Sequence, residues 1–293
     1  MTNPNRRQFL QLSTFAVAGA AAPRLWCRTR PTAVGVQLYT VQKEVMTDLP
    51  GTLAAIRKIG YTMVESFSGM HARPANELKA MVQDAGLTLP SAHFSYNTLE
   101  TQVQYAHDLG VSHMVCAMLP KPMQNREGFM KAASGLNKAG ALAKAANIRL
   151  SFHNHNFEFQ PLPPATGDGA PGPQDTGLRI LLDNTNQQLV SWEEDCYWVA
   201  QGGQDPLTLL KQYQHRISML HLKDRRPGAT TTYTPGKDSQ FFTEIGTGTI
   251  DWEPIMKIAD STGKLIFVEQ DTTTMPALDS LALSYKNLLK YIV

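Results

Sequence analysis

Eight short apolar segments, alternating with segments of helical periodicity at a spacing of roughly thirty residues, constrain this chain more than any other feature. The apolar segments fall at 34–39, 63–67, 87–94, 113–118, 148–155, 190–198, 217–223 and 265–271. Between them, helical patterns run over 52–59, 75–85, 99–109, 129–146 and 206–213. Gly60, Gly86 and Gly110 follow three of these, where a helix ends most readily in a left-handed residue. Regular alternation of strand and helix calls for parallel strands joined by crossover helices. Eight such units over about 250 residues fit a closed (β/α)8 TIM barrel better than an open sheet, and one barrel domain over 31–293 is predicted.

A chain of 293 residues with 42% hydrophobic content can bury a large core. Lys and Arg number 27 against 25 Asp and Glu, with no basic run in the barrel region. That balance leaves no electrostatic footprint for nucleic acid or acidic membranes and points to a small, neutral ligand. Cys27, Cys116 and Cys196 have neither paired spacing nor an even count, so no disulfide framework or thiolate metal site is implied. At the N-terminus, Asn5-Arg6-Arg7-Gln8-Phe9-Leu10 precedes a mildly apolar run ending in small residues, as in a signal peptide of the twin-arginine type. The run is too short and polar to span a bilayer. Residues 1–30 are therefore expected to be a signal peptide and short linker, with the cleaved protein periplasmic and not inserted in a membrane.

The chemistry concentrates at strand ends. In Ser151-Phe152-His153-Asn154-His155-Asn156-Phe157-Glu158-Phe159, alternation puts His153 and His155 on the face of Ser151, opposite Leu150 and Phe152. Glu193-Glu194-Asp195-Cys196-Tyr197-Trp198, Met219-Leu220-His221-Leu222-Lys223-Asp224 and Ile266-Phe267-Val268-Glu269-Gln270-Asp271 end three more strands. In a barrel, catalytic residues sit at the C-terminal ends of strands. His221 shares a face with Lys223, and Glu269 with Asp271, so both can point into the mouth. Carboxylates and an imidazole from consecutive strands form a mixed oxygen and nitrogen site, suited to Mn, Mg, Co or Zn. Two polar stretches, 161–177 and 225–240, follow strands and are expected to wall or cover that mouth.

Several motifs together resemble the xylose-isomerase-like barrel family, the sugar phosphate isomerase/epimerase group. They are Gly35-Val36-Gln37-Leu38-Tyr39-Thr40, Gly60-Tyr61 leading to Val64-Glu65, the His153 to Phe159 run, Asp195-Cys196-Tyr197-Trp198, Gly203-Gln204-Asp205-Pro206, His221-Leu222-Lys223-Asp224, Gly246-Thr247-Gly248-Thr249-Ile250-Asp251-Trp252 and Val268-Glu269-Gln270-Asp271. The resemblance runs from about residue 34 to the C-terminus and implies a divalent metal, with Glu158, Asp195, His221 and Glu269 at the matching positions. Asp183, in Leu182-Asp183-Asn184, is the runner-up to Asp195. Glu158 reaches the metal only if the chain turns after the strand; otherwise His153 or His155 is the fifth-strand ligand. Glu194 departs from the apolar residue expected on the helix-facing side.

A metal-bound carbonyl lets a base remove the proton on the adjacent carbon. Glu158 or Glu269, with one of His153 and His155, can supply base and acid. Lys223 can hold a substrate oxygen, while His93, Tyr39 and Trp198 can line a sugar pocket. The expected activity is a metal-dependent isomerase or epimerase on a small carbohydrate. The alternatives are a 3-keto-glycoside lyase working by β-elimination and a non-catalytic sugar-binding protein. A homo-oligomer is compatible with the sequence.

Overall fold

All eight expected strands form, and they close on themselves. In the computed structural model, which describes residues 33–163, 175–235 and 241–292, the barrel strands are β1 (Val34–Gln37), β2 (Met63–Ser66), β3 (Thr88–Phe94), β4 (His113–Cys116), β5 (Arg149–His153), β6 (Val190–Asp195), β7 (Ile217–Leu222) and β10 (Leu265–Val268). A short antiparallel ribbon, β8 (Asp224–Arg225) with β9 (Phe242–Thr243), interrupts the rhythm after β7. The barrel order is β1-β10-β7-β6-β5-β4-β3-β2, every neighbouring pair parallel. The signal expected over residues 1–30 lies outside the described residues, as do 164–174 and 236–240 of the two polar stretches.

Local chemistry starts and stops the helices. Asp48 accepts from Gly51 N at 3.0 Å and Pro50 stands in the first turn of Leu49–Ile59. Asn125 caps Arg126–Ala145, and Asp205 caps Pro206–Gln212 in the same way. At the far ends, Gly60 and Gly110 take φ of 128° and 79°, which side chains with a Cβ rarely adopt. The sequence reading of β6 as 190–198 runs too far: Asp195 accepts from Trp198 N at 2.8 Å and starts the helix Cys196–Gln201, so Tyr197 and Trp198 are helical. Tyr39 likewise lies on a 3-10 turn after β1, and Asp183 on the helix Gly177–Asn184 rather than at a strand end.

The barrel interior is layered. Met63, Val115, Met219 and Phe267 form an apolar plug toward its N-terminal half. A Cβ on Gly35 would collide with the Phe267 ring, so the plug depends on that glycine. Above it lies a buried polar layer that includes Gln37, Glu65, Ser91, Glu193 and His221, each 0% exposed. Outside the strands, Leu150, Phe152 and Trp192 join the large core shared with the helices. The plug closes the barrel below, so the chemistry opens upward.

Candidate metal centre

At the mouth, β5, β6, β7 and the residue after β10 bring His153, Asp195, His221 and Glu269 together, with one ligand-type atom of each within 4.8 Å of all the others. His221 Nδ1 lies 2.9 Å from Glu269 Oε2 and 4.0 Å from Asp195 Oδ2, and His153 Nε2 lies 3.7 Å from Asp195 Oδ2. Each imidazole is tied from behind by a second carboxylate. His221 Nε2 meets Glu65 Oε2 at 2.6 Å, and His153 Nδ1 meets Glu193 Oε2 at 3.1 Å. A proton held on those rear nitrogens leaves the front nitrogens as lone-pair donors, the arrangement that orients metal-binding histidines.

The donor set fits a divalent cation. Asp195 spends Oδ1 on capping its helix, while the buried Oδ2 faces both histidines and the Lys223 ammonium. Two imidazoles and two carboxylates suit Mn, Co or Zn, with Mg a poorer match for nitrogen. An overlapping set, His93, His153, Glu193 and His221, is equally compact. There Glu193 Oε2 bonds His93 Nε2 at 2.7 Å and His153 Nδ1 at 3.1 Å, while Oε1 has no hydrogen bond. The front set is the one with a carboxylate, Glu269, lining the cavity above the cluster, which makes it the better cation position.

Electrostatics follow from burial and pairing. Burial opposes protonation of His221, yet Glu193 and Glu65 outweigh it and raise the imidazole well above its ordinary value. For His93 the same contest, with Glu65 and Glu193, ends at about 9. In His153 burial wins and the ring is pushed well below its ordinary value, which suits a neutral ligand. Lys223 Nζ stands 3.0 Å from Asp195 Oδ2, 2.6 Å from Glu269 Oε2 and 2.7 Å from Asp271 Oδ1. Burial alone would discharge this lysine; the three carboxylates keep it charged.

The structure does not bring Glu158 to the cluster. The chain does turn after β5, through the 3-10 segment Phe157–Phe159, but the turn aims the carboxylate back at its own loop, where Oε2 accepts from His155 N at 2.9 Å. Burial pushes Glu158 up to about 8. The fifth-strand residue within the cluster is His153. His155, beyond the strand end, packs between Phe157 and Trp198 with ring centroids 5.8 and 5.2 Å away, and burial lowers it to about 3. Asp183 is far from all of this in chemistry, an exposed partner of Arg179 at 2.6 Å. Glu194 is fully buried on the outer side of β6, both oxygens without hydrogen bonds, and burial raises it well above its ordinary value.

A cavity of about 300 Å³ opens above the cluster. Its floor includes His153, His155, Lys223, Glu269 and Asp271. Tyr39, Phe67, Met118 and Trp198 wall it, and Pro235 of the loop after β8 reaches its rim. His93 touches the floor from below, bridging Glu193 and Glu65. Sequence reasoning placed Glu65 only within a family-like motif and gave Glu193 and Asp271 no role. Alternation was the available signal, since Glu193 lies two residues before Asp195 and Asp271 two after Glu269.

A closed parallel barrel with a histidine and carboxylate cluster at the C-terminal mouth, able to hold a metal ion, defines a TIM-barrel enzyme scaffold. The chain belongs to the xylose isomerase-like TIM barrel family, whose pattern it matches over residues 53–286. It is 32% identical over 162 residues to an inosose dehydratase of Clostridium perfringens, covering 52% of this chain and 50% of that protein. The chain thus spans about half the length of the curated relatives it matches. A sugar phosphate isomerase/epimerase from Parabacteroides distasonis superposes with a TM-score of 0.74 at 26% identity, covering 90% of this chain and 96% of that one. An IolI protein with a bound zinc atom shares the fold at a TM-score of 0.65 and 13% identity, covering 88% and 97% of the two chains.

Proposed function

We propose that this protein is a metal-dependent lyase that removes a β-substituent, as water or an alcohol, from a small keto-carbohydrate or cyclic keto-polyol. The observation that carries the reading is the His153, Asp195, His221 and Glu269 cluster at the floor of a cavity that also holds a neutral imidazole and a lysine paired with an acid. The inosose dehydratase among the relatives supports elimination over simple isomerisation. A divalent cation bound by those four residues supplies positive charge to a carbonyl oxygen as negative charge develops on it.

The chain's own groups do the rest. His155, whose ring lines the cavity, is the group placed to take the proton from the carbon beside the carbonyl. The electron pair left behind forms the new carbon–carbon double bond as the β-oxygen departs with its bonding pair. Burial raises Asp271 to about 6, and its contact with Lys223 places that pair to return a proton to the departing oxygen. Lys223 holds a substrate oxygen, and Trp198 and Tyr39 give the ring apolar walls.

Epimerisation is the second reading, favoured by the Parabacteroides protein and by the shared first proton transfer. Incubation with cyclic keto-polyols, keto-sugars and 3-keto-glycosides in deuterium oxide, followed by mass spectrometry, separates the two. Loss of water or an alcohol supports the lyase. Deuterium uptake without mass loss supports the epimerase, and neither from any substrate with metal present would sink both.

A further inference from the structure

The oxygens a cation needs at this site are the ones an internal ammonium already holds. Lys223 Nζ lies 3.0 Å from Asp195 Oδ2 and 2.6 Å from Glu269 Oε2, the two carboxylate oxygens nearest the front nitrogens of His153 and His221. Its side chain is 2% exposed, and no other lysine or arginine among the described residues is paired with either acid. An ammonium has three N–H donors. Lys223 has three carboxylates within reach, the third being Asp271 at 2.7 Å, which lies outside the ligand set.

We propose that Lys223 sets how tightly the centre holds its metal, by competing with it for Asp195 and Glu269, and that Asp271 is the anchor that keeps the lysine when the metal takes those oxygens. The inference rests on the metal reading above. Two consequences follow from the geometry. Without its ammonium, the trio of buried acids would repel one another, so the lysine keeps the ligand carboxylates converged. Once they bind a cation, Lys223 stays on Asp271 and over the Trp198 ring, whose centroid is 5.4 Å away, with N–H donors released toward the cavity it lines. Metal loading would then present the substrate-facing cation of the pocket, as Lys223 exchanges two of its three carboxylate partners for the cavity.

The test is the dissociation constant for Zn²⁺ and for Mn²⁺, measured against a chromogenic chelator, in the wild type, Lys223→Met, Asp271→Asn and the double variant, each checked for folding by circular dichroism and melting. Removing one adjacent charge shifts such equilibria by about tenfold or more, so Lys223→Met is expected to bind at least about tenfold tighter. Lys223→Gln, which keeps donors but no charge, moves in the same direction and serves if Lys223→Met does not fold. Asp271→Asn binds more weakly in the wild-type background and makes little difference once Lys223 is gone, because the acid acts through the lysine. Equal or weaker affinity in both folded lysine variants overturns the inference, as does an Asp271→Asn loss of the same size in both backgrounds. Failure of the wild type to take up either ion overturns the metal reading itself, and the inference with it.

Discussion

Glu158 offers the sharpest test of the site as built. Burial holds its carboxyl at about 8 in the folded protein, against an ordinary value of 4.5, so the folded state keeps a proton that the unfolded chain gives up. The group's contribution is therefore fully present below about pH 4.5 and is lost as pH rises through about 8. At about 1.4 kcal/mol for each pH unit, the loss amounts to up to about 5 kcal/mol across that window. Glu158→Gln stays neutral throughout and keeps an acceptor for His155 N, so the variant escapes the loss. Urea unfolding of both proteins at pH 5.5, 7 and 8.5, with a chelator present, reads it directly. The variant's stability should gain on the wild type steadily toward alkaline pH, while its metal affinity measured separately stays unchanged. Parallel stability curves would refute the buried, protonated placement, and a large loss of metal affinity would return Glu158 to the ligand set.

Two further outcomes follow from residues that never touch a ligand. Glu65→Gln removes the anion behind His221 Nε2 and should weaken metal binding by about 10- to 100-fold in a chelator competition, with unchanged affinity counting against the orienting role. Asp224 accepts from Gly246 N, Gly248 N and Trp252 Nε1 at 2.9, 3.1 and 2.9 Å, so Asp224→Ala strands the buried indole N–H and removes the acceptor of two more accessible backbone donors, at a cost of about 1–3 kcal/mol for the indole and less for each of the others. Its melting temperature should fall while metal stoichiometry holds, and a variant as stable as the wild type would show that the loop does not need the carboxylate.

The barrel was legible because each apolar run is bounded by turn chemistry that physics makes hard to misread, such as the positive φ at Gly60, Gly86 and Gly110. Strand ends were less so. Cys196, Tyr197 and Trp198 look like strand formers, and only the Asp195 cap converts them to helix. Asp183 is the runner-up because Leu182-Asp183-Asn184 resembles a strand-end aspartate of the family, but Gly177–Asn184 folds as a short apolar helix, a choice that periodicity over so few residues does not make. Glu158 failed differently. Its distance along the chain from His155 allowed a ligand, but the aim of a 3-10 turn depends on which backbone N–H the carboxylate finds.

What alternation could not foretell is why so many acids tolerate burial at one end of the barrel. Glu158 and Glu194 do so by keeping their protons, since burial raises both. Glu65, Glu193, Asp195, Glu269 and Asp271 instead share the side-chain cations of Lys223, His93 and His221. With both aspartates ionised, five negative groups face three positive ones, an excess of negative charge that favours a divalent cation. When His221 gives its front nitrogen to such an ion it also gives up a proton, so metal uptake at neutral pH is coupled to proton release. On the proposed metal reading, the buried acids below the mouth belong to the same site: they would fix the histidines and supply the field that favours a dication over the lysine competing for the same oxygens.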